Sequence, residues 1–160
     1  MSDLPYRRNV GAVLFNPVGL VLIAHRVGMP MREGPDGGWQ LPQGGIDDGE
    51  EPRDAVLREL EEEIGTAKAK IIGEHPDWLT YDLPPHLVGV AWRGRFRGQT
   101  QRWFALRFLG QDSDVRLDAH PHREFDAWRW AKLADLPGLA VGFKRPVYEV
   151  LATSFARFAG

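Results

Sequence analysis

Glu59, Glu62 and Glu63 crowd the end of the stretch Gly44 to Thr66, GGIDDGEEPRDAVLRELEEEIGT. On a helix, carboxylates at i, i+3 and i+4 gather on one face and repel one another by roughly a few tenths of a kcal/mol per pair unless a cation joins them. A hard divalent ion is the natural remedy. Several oxygen donors suit Mg²⁺ or Mn²⁺ better than Zn²⁺, which wants His or Cys. An isolated acidic run, by contrast, is most simply a solvated helix face.

The helix that must carry these residues starts at Pro52, at home in a first turn where its missing amide has no partner, and stops at Gly65. It is expected over residues 52–64, with Val56, Leu57, Leu60 and Ile64 forming an apolar stripe away from the acidic face. Glu50 lies near the helix start, where the macrodipole favours negative charge. It is expected to pair with Arg58 and fix the loop onto the helix, a structural role. Ahead of the helix, Trp39-Gln40-Leu41-Pro42 reads as a short strand entering the Gly44-Gly45 turn, and such a turn lets backbone groups approach an ion or phosphate closely.

The spacing of these residues resembles that of a known family. Gly44, five residues, Glu50, seven residues and then Arg58-Glu59-Leu60-Glu61-Glu62-Glu63-Ile64-Gly65 is similar to the Nudix box, the signature of hydrolases that cut nucleoside diphosphates linked to another group. Thr66 departs from the pattern, which has a bulky aliphatic there; the change touches packing behind the helix more than chemistry. The resemblance implies the Nudix fold, an α/β (α+β) domain with a mixed β-sheet sandwiched between helices. It also implies metal ligation by Glu59, Glu62 and Glu63 and by a carbonyl of the turn, for which Gly44 is the candidate, with more than one Mg²⁺ or Mn²⁺ ion.

At 160 residues and 43% hydrophobic, the chain fits one domain, residues 1–160, with a real core. A formal net charge of −2 offers no general attraction for nucleic acid or an anionic membrane, so any polyanion must be held by a local basic patch. The absence of cysteine excludes disulfides and thiolate chemistry. The polar start MSDLPYRRN lacks the apolar core of a signal peptide, and no apolar run approaches membrane-spanning length. A cytoplasmic location, no membrane and no stable protein partner are therefore expected.

Around the acidic helix, Asn9 to Phe15 and Leu20 to Ala24 read as a β-hairpin, with Arg7, Arg8 and Arg26 at one end of the sheet. Met29 to Gly38 is a loop. Lys68 to Glu74, Trp78 to Tyr81 and Phe104 to Leu109 read as strands. In Trp92 to Trp103 an extended chain would put Arg93, Arg95 and Arg97 on one face and Trp92 and Phe96 on the other, a pattern that fits either nucleic-acid binding or a polar hairpin. Asp112, Asp114, Asp118, His120 and His122 lie in an irregular segment whose spacing matches no compact metal site. Glu124 to Trp130 reads as a strand. Arg145 to Phe158 is a closing amphipathic helix with Val147, Val150, Leu151 and Phe155 along one stripe, preceded by Phe143 and Lys144, an aromatic ring beside a cation.

Several outer segments narrow the resemblance: Tyr6 to Gly11, Trp39 to Gly45, Gln101 to Phe104, Glu124 to Trp130 and Phe143 to Arg145. They look like the bacterial Nudix members that trim the 5′-triphosphate end of RNA to a monophosphate and so promote mRNA decay, with the dinucleoside polyphosphate hydrolases closely similar. By matching residues the resemblance implies Glu124 as a further metal ligand and phosphate contacts from Arg7, Arg26 and Lys144. It also implies help from Gln99 or Gln101, and base stacking on Phe143. The implied substrate is 5′-triphosphorylated RNA or, alternatively, a dinucleoside polyphosphate; a nucleotide-binding module without turnover is the reading from another class. In the catalytic readings, Glu59 or Glu62 takes the proton as water attacks phosphorus in line.

Overall fold

In the computed structural model, which describes residues 3–159, the strands are β1 (Tyr6–Phe15), β2 (Val21–Arg26), β3 (Trp39–Gln40), β4 (Gln43–Gly45), β5 (Ala69–Glu74), β6 (Leu79–Asp82), β7 (Gly98–Phe108) and β8 (Phe125–Ala131). The α-helices are α1 (Pro52–Ile64), α2 (Leu136–Leu139) and α3 (Arg145–Ser154). The strands form one mixed sheet of eight, organised around β1. One edge of β1 runs parallel to β7 from Tyr6 opposite Gly98 to Phe15 opposite Arg107. Its other edge is shared. Near the turn Phe15 faces Val21 of β2, whereas Asn9, Val10 and Gly11 face Gly45, Gly44 and Gln43 of β4. The expected hairpin therefore forms at its turn and then parts, and the opening admits the strand that leads into α1.

The period-two alternation of β1 feeds two cores. Val10, Ala12 and Leu14 turn toward α1, where they meet Ala55, Val56, Leu60 and Ile64 together with Phe104 and Leu106 of β7. Val13 and Phe15 turn the other way, onto Trp103, Ala105, Val147, Tyr148, Leu151 and Phe155. Each fully buried Leu or Phe in these layers contributes about 1.5–3 kcal/mol. The sheet is thus sandwiched between α1 and the C-terminal helices, as the family resemblance implies.

The local signals at α1 agree with its observed bounds. Pro52 occupies the first turn, and Gly65 caps the end with φ 79°, its N–H donating to the Glu61 carbonyl. Thr66 is buried, and its hydroxyl accepts from the Lys68 N–H at 3.1 Å.

Three expectations are corrected. Arg93, Arg95 and Arg97 do not share a strand face, because Ala91–Gly94 is a helical turn with Trp92 and Arg93 at φ 49° and 59°, and β7 begins only at Gly98. The buried stripe is Val147, Tyr148 and Leu151 of α3 with Phe155 just past its end, while Val150 stands 39% exposed and the helix closes at Ser154 rather than Phe158. Glu63 does not share the solvated face of α1 but is buried where the helix meets β4. Gly11 shows how tightly the sheet is packed: a Cβ there would lie 2.3 Å from the Trp103 ring, so Gly11→Ala is expected to cost about 1–3 kcal/mol, read from the denaturant midpoint.

Candidate active site

The acidic helix and the turn before it meet in direct contact. A Cβ on Gly44 would lie 1.9 Å from a Glu59 carboxylate oxygen, so only glycine lets the strand approach the helix this closely. The Gln43 N–H donates to Glu63 Oε2 at 3.2 Å, one residue along the same strand. Strand β4 and α1 are therefore tied by carboxylates rather than by apolar packing at this end.

Arg58 holds the arrangement together. Its Nε and Nη2 donate to the two oxygens of Glu50, both at 2.8 Å, in a bidentate pair. Nη2 also donates to the Gly45 carbonyl at 2.9 Å. Nη1 reaches Glu59 at 2.9 Å and Glu62 at 3.2 Å. Glu50 completes the clasp by accepting the Asp47 N–H at 3.0 Å. The Arg58 hydrogen bond, aided by that N–H, lowers the Glu50 carboxyl to about 2, while Glu50 first and Glu59 next raise the Arg58 guanidinium. Glu50 and Arg58 thus pair as their spacing suggested, and the pair ties the loop to α1.

The remaining carboxylates are poorly compensated. Burial raises Glu59 to about 7, against the opposing effect of Arg58 and with help from the charges of Glu62 and Glu124. Burial raises Glu63 well above the usual carboxylate range, and the nearby charges of Glu124 and Glu59 add to the rise. Glu124 is exposed immediately ahead of β8, with its carbonyl accepting the Val27 N–H at 2.9 Å. Among the described residues, no three His, Asp or Glu side chains converge closely enough to be a ready cage. Arg58 draws Glu59 and Glu62 toward itself. The donor set nevertheless fits a hard cation: all oxygen, partly desolvated and mutually repelling.

A cationic side faces this centre across β4. Arg7 Nη1 donates to Gln99 Oε1 at 2.9 Å, and Gln99 Nε2 donates to the Tyr81 hydroxyl at 2.6 Å. One register step on, Gln101 Nε2 donates to Asn9 Oδ1 at 2.9 Å and to Gln43 Oε1 at 3.0 Å. The two glutamines are 1% exposed, so the structure places both beneath the site, where they hold Arg7 and β4, and neither side chain opens to solvent. Lys144 is buried with Nζ 3.5 Å from Gln40 Oε1, and burial, reinforced by Arg26, pushes it down to about 8 although Glu63 opposes the shift. Arg26 closes β2, exposed, and its charge reaches both Lys144 and Tyr81. The partly buried Phe143 ring lies 5.6 Å from that of Tyr81.

The expected residues thus fall into two adjoining groups: Gly44, Glu50, Arg58, Glu59, Glu62, Glu63 and Glu124 on one side, Arg7, Arg26, Phe143 and Lys144 on the other. Sequence reasoning missed Asn9, Gln43 and Tyr81. The signal for the first two was an amide side chain within an otherwise apolar strand segment. An open depression of about 470 Å³ borders the acidic group, lined among others by Arg7, Arg8, Glu59 and Phe96. The acidic side chains of the segment at 112–122 do not converge on a metal site: Asp112 accepts the Trp130 indole N–H at 3.0 Å, Asp114 pairs with Lys68 at 3.0 Å and His120 meets Glu61 at 3.1 Å, while Val115 packs into the core beside α1.

Fold and site together define a class: single-sheet α+β proteins that set a carboxylate-rich helix behind a glycine turn, next to cations suited to an anionic substrate. The chain belongs to the Nudix family, since the NUDIX domain matches residues 5–151. It is 62% identical over 160 residues to the RNA pyrophosphohydrolase of Gluconacetobacter diazotrophicus, covering 99% of this chain and 96% of the relative. It is 60% identical to that of Acidiphilium cryptum, covering 99% and 94%. Among solved structures it is similar to the E. coli dihydroneopterin triphosphate pyrophosphohydrolase, with TM-score 0.68, 19% identity and coverage of 94% and 99%. It is also similar to a C. elegans Ap4A hydrolase, with TM-score 0.62, 19% identity and coverage of 94% and 98%. At these identities the solved structures establish the fold alone.

The raised carboxyls carry a signed consequence for the metal-free protein. The folded carboxyls of Glu59 and Glu63 are raised above their ordinary value in the unfolded chain, so their stabilising effect is complete below that value and is lost as pH rises through the folded values, about 7 for Glu59. Metal-free Glu63→Gln is expected to lose less stability than wild type between pH 5 and pH 7.5, approximate bounds chosen to bracket the Glu59 transition, as read by thermal unfolding.

Proposed function

We propose that the protein is a divalent-metal-dependent pyrophosphohydrolase that acts on the 5′-triphosphate end of RNA, leaving a 5′-monophosphate and releasing pyrophosphate, or phosphate stepwise. Its cellular consequence is the promotion of mRNA decay. Full-length similarity to RNA pyrophosphohydrolases supports the choice of substrate. The geometric observation that carries the reading is the meeting of an acidic centre with Arg7, Arg26 and Lys144. Among the described residues, none of these three cations forms an ion pair with a carboxylate. A polyphosphate needs both: cations for its oxygens, and carboxylates that bring in a metal where its charge would otherwise be repelled.

Glu59, Glu62, Glu63 and Glu124, with the Gly44 carbonyl, are the donors that would hold Mg²⁺ or Mn²⁺, in more than one site. When bound, such an ion neutralises phosphate oxygens and makes a water more acidic. The chain supplies the rest. Arg7, Arg26 and Lys144 bind and orient the phosphates, Phe143 offers a stacking face for a base, and Glu59 or Glu62 accepts a proton from the attacking water. Among the described residues no helix is long and apolar enough to cross a membrane, and a cytoplasmic enzyme would meet its RNA directly.

Glu62 is 44% exposed and bound only at the edge of the Arg58 clasp, so Glu62→Gln is expected to fold normally yet lose most turnover. Unchanged activity would remove Glu62 from the chemistry. The substrate is decided by assaying 5′-triphosphorylated RNA beside diadenosine tetraphosphate with Mg²⁺. Clear preference for the RNA is expected. Preference for the dinucleotide would reassign the substrate, and turnover of neither would turn the reading to a nucleotide-binding module.

A further inference from the structure

We infer that Trp92 is a positioning residue for Arg7: a left-handed turn sets its indole against the Arg7 guanidinium and holds that cation, still charged, for the phosphates of the substrate. The inference rests on the proposed role of Arg7 and adds a residue that composition and motif leave unassigned.

Three consecutive residues, Trp92, Arg93 and Gly94, have φ of 49°, 59° and 72°. Glycine adopts such values freely, whereas two adjacent side-chain-bearing residues rarely do, and they persist only where the surroundings over-determine them. The turn is closed by the Arg95 N–H donating to the Trp92 carbonyl at 3.2 Å, and a Cβ on Gly94 would lie 2.9 Å from the Gly89 carbonyl, so glycine alone fits its third position. The strained backbone turns Trp92 inward. Its partly buried ring packs against the hydrophobic core, meets Phe96 edge-on at 6.3 Å, and has its centroid 5.7 Å from the Arg7 guanidinium carbon.

Arg7 is thereby held from three directions. The indole covers one, Gln99 Oε1 accepts its Nη1 at 2.9 Å, and Gly45 leaves room for Nη2 where a Cβ would lie 2.4 Å away. The amide of Gln99 is itself oriented by the Tyr81 hydroxyl at 2.6 Å. None of these groups carries a negative charge. Arg58, a few ångströms of backbone away through Gly45, is the opposite case, with its guanidinium consumed by Glu50, Glu59 and Glu62. A ring and an amide fix the orientation of a guanidinium without neutralising it, which lowers the ordering cost when an anion binds. Trp92 therefore acts on substrate binding through Arg7 and not on the chemical step.

The test is a double-mutant cycle in the full chain with Mg²⁺, read as KM and kcat on 5′-triphosphorylated RNA, together with the Arg7 side-chain N–H resonances measured by NMR without substrate. Trp92→Leu is expected to raise KM by about 3- to 30-fold, the range of a partly desolvated cation–π contact, with kcat within about twofold. It is also expected to move the Arg7 resonances out of the indole ring current. Trp92→Phe is expected to restore most of the KM, and in an Arg7→Ala background the Trp92 change is expected to add nothing. Unmoved Arg7 resonances, or a KM rise that persists without Arg7, would overturn the inference. If Trp92→Leu does not fold, Trp92→Phe and Trp92→Tyr are run through the same cycle, and either of those two results overturns the inference there as well. Wild-type inactivity on the RNA would refute the proposed function instead, and the resonances would still decide whether the ring holds Arg7.

Discussion

One guanidinium has to reconcile a crowd of carboxylates. Arg58 donates to Glu50, Glu59, Glu62 and the Gly45 carbonyl at once, using Nε and both terminal nitrogens. A lysine could not do this, because the planar fork of arginine presents donors in several fixed directions while an ammonium is a compact point. The consequence runs in two directions. The bidentate pair with Glu50 ties the incoming loop to α1, and the bond to Gly45 seats β4 so that Gly44 and Gln43 lie against Glu59 and Glu63. Helix, turn and strand are placed by charge here, where an apolar contact would have filled the space that a cation needs.

The charge balance stops short of neutrality, and that shortfall is what makes the site able to act. Glu63 receives a single backbone N–H and lies beyond the hydrogen bonds of Arg58, so burial and its acidic neighbours push its carboxyl well above the usual carboxylate range. Across β4, Arg7 and Lys144 are cations held by neutral groups, an amide and a ring in one case and a glutamine in the other. Acid without a base and base without an acid stand on two sides of one short strand. They do not collapse onto one another because the sheet fixes them, and under the proposed function a polyphosphate with its metal would satisfy both.

How much of this could be read in the sequence follows from the range of the interactions involved. The bounds of α1 are local events at Pro52 and Gly65, and the pairing of Glu50 with Arg58 spans two turns of chain, so both were legible. The burial of Glu63 depends on where β4 lands, and helical spacing alone put it on the wrong face. The amide ladder of Asn9, Gln101 and Gln43 exists because β1 and β7 pair in parallel across some ninety positions, with Asn9 opposite Gln101, a register no local pattern encodes. The arginines at 93, 95 and 97 looked like a strand face because alternation is all a sequence offers; the left-handed backbone at Trp92 and Arg93 broke it.

The central claim is that protons occupy the acidic centre until a divalent ion displaces them. It is tested most directly by calorimetric titration of the protein with Mn²⁺ near pH 6.5, in two buffers that differ in ionisation enthalpy, so that the difference in heat counts the protons released per ion. Net proton release on binding is the result that the burial of Glu59 and Glu63 predicts. Binding whose heat is the same in both buffers would contradict it, as it would mean that these carboxylates were already ionised and that Arg58 alone had balanced their charge.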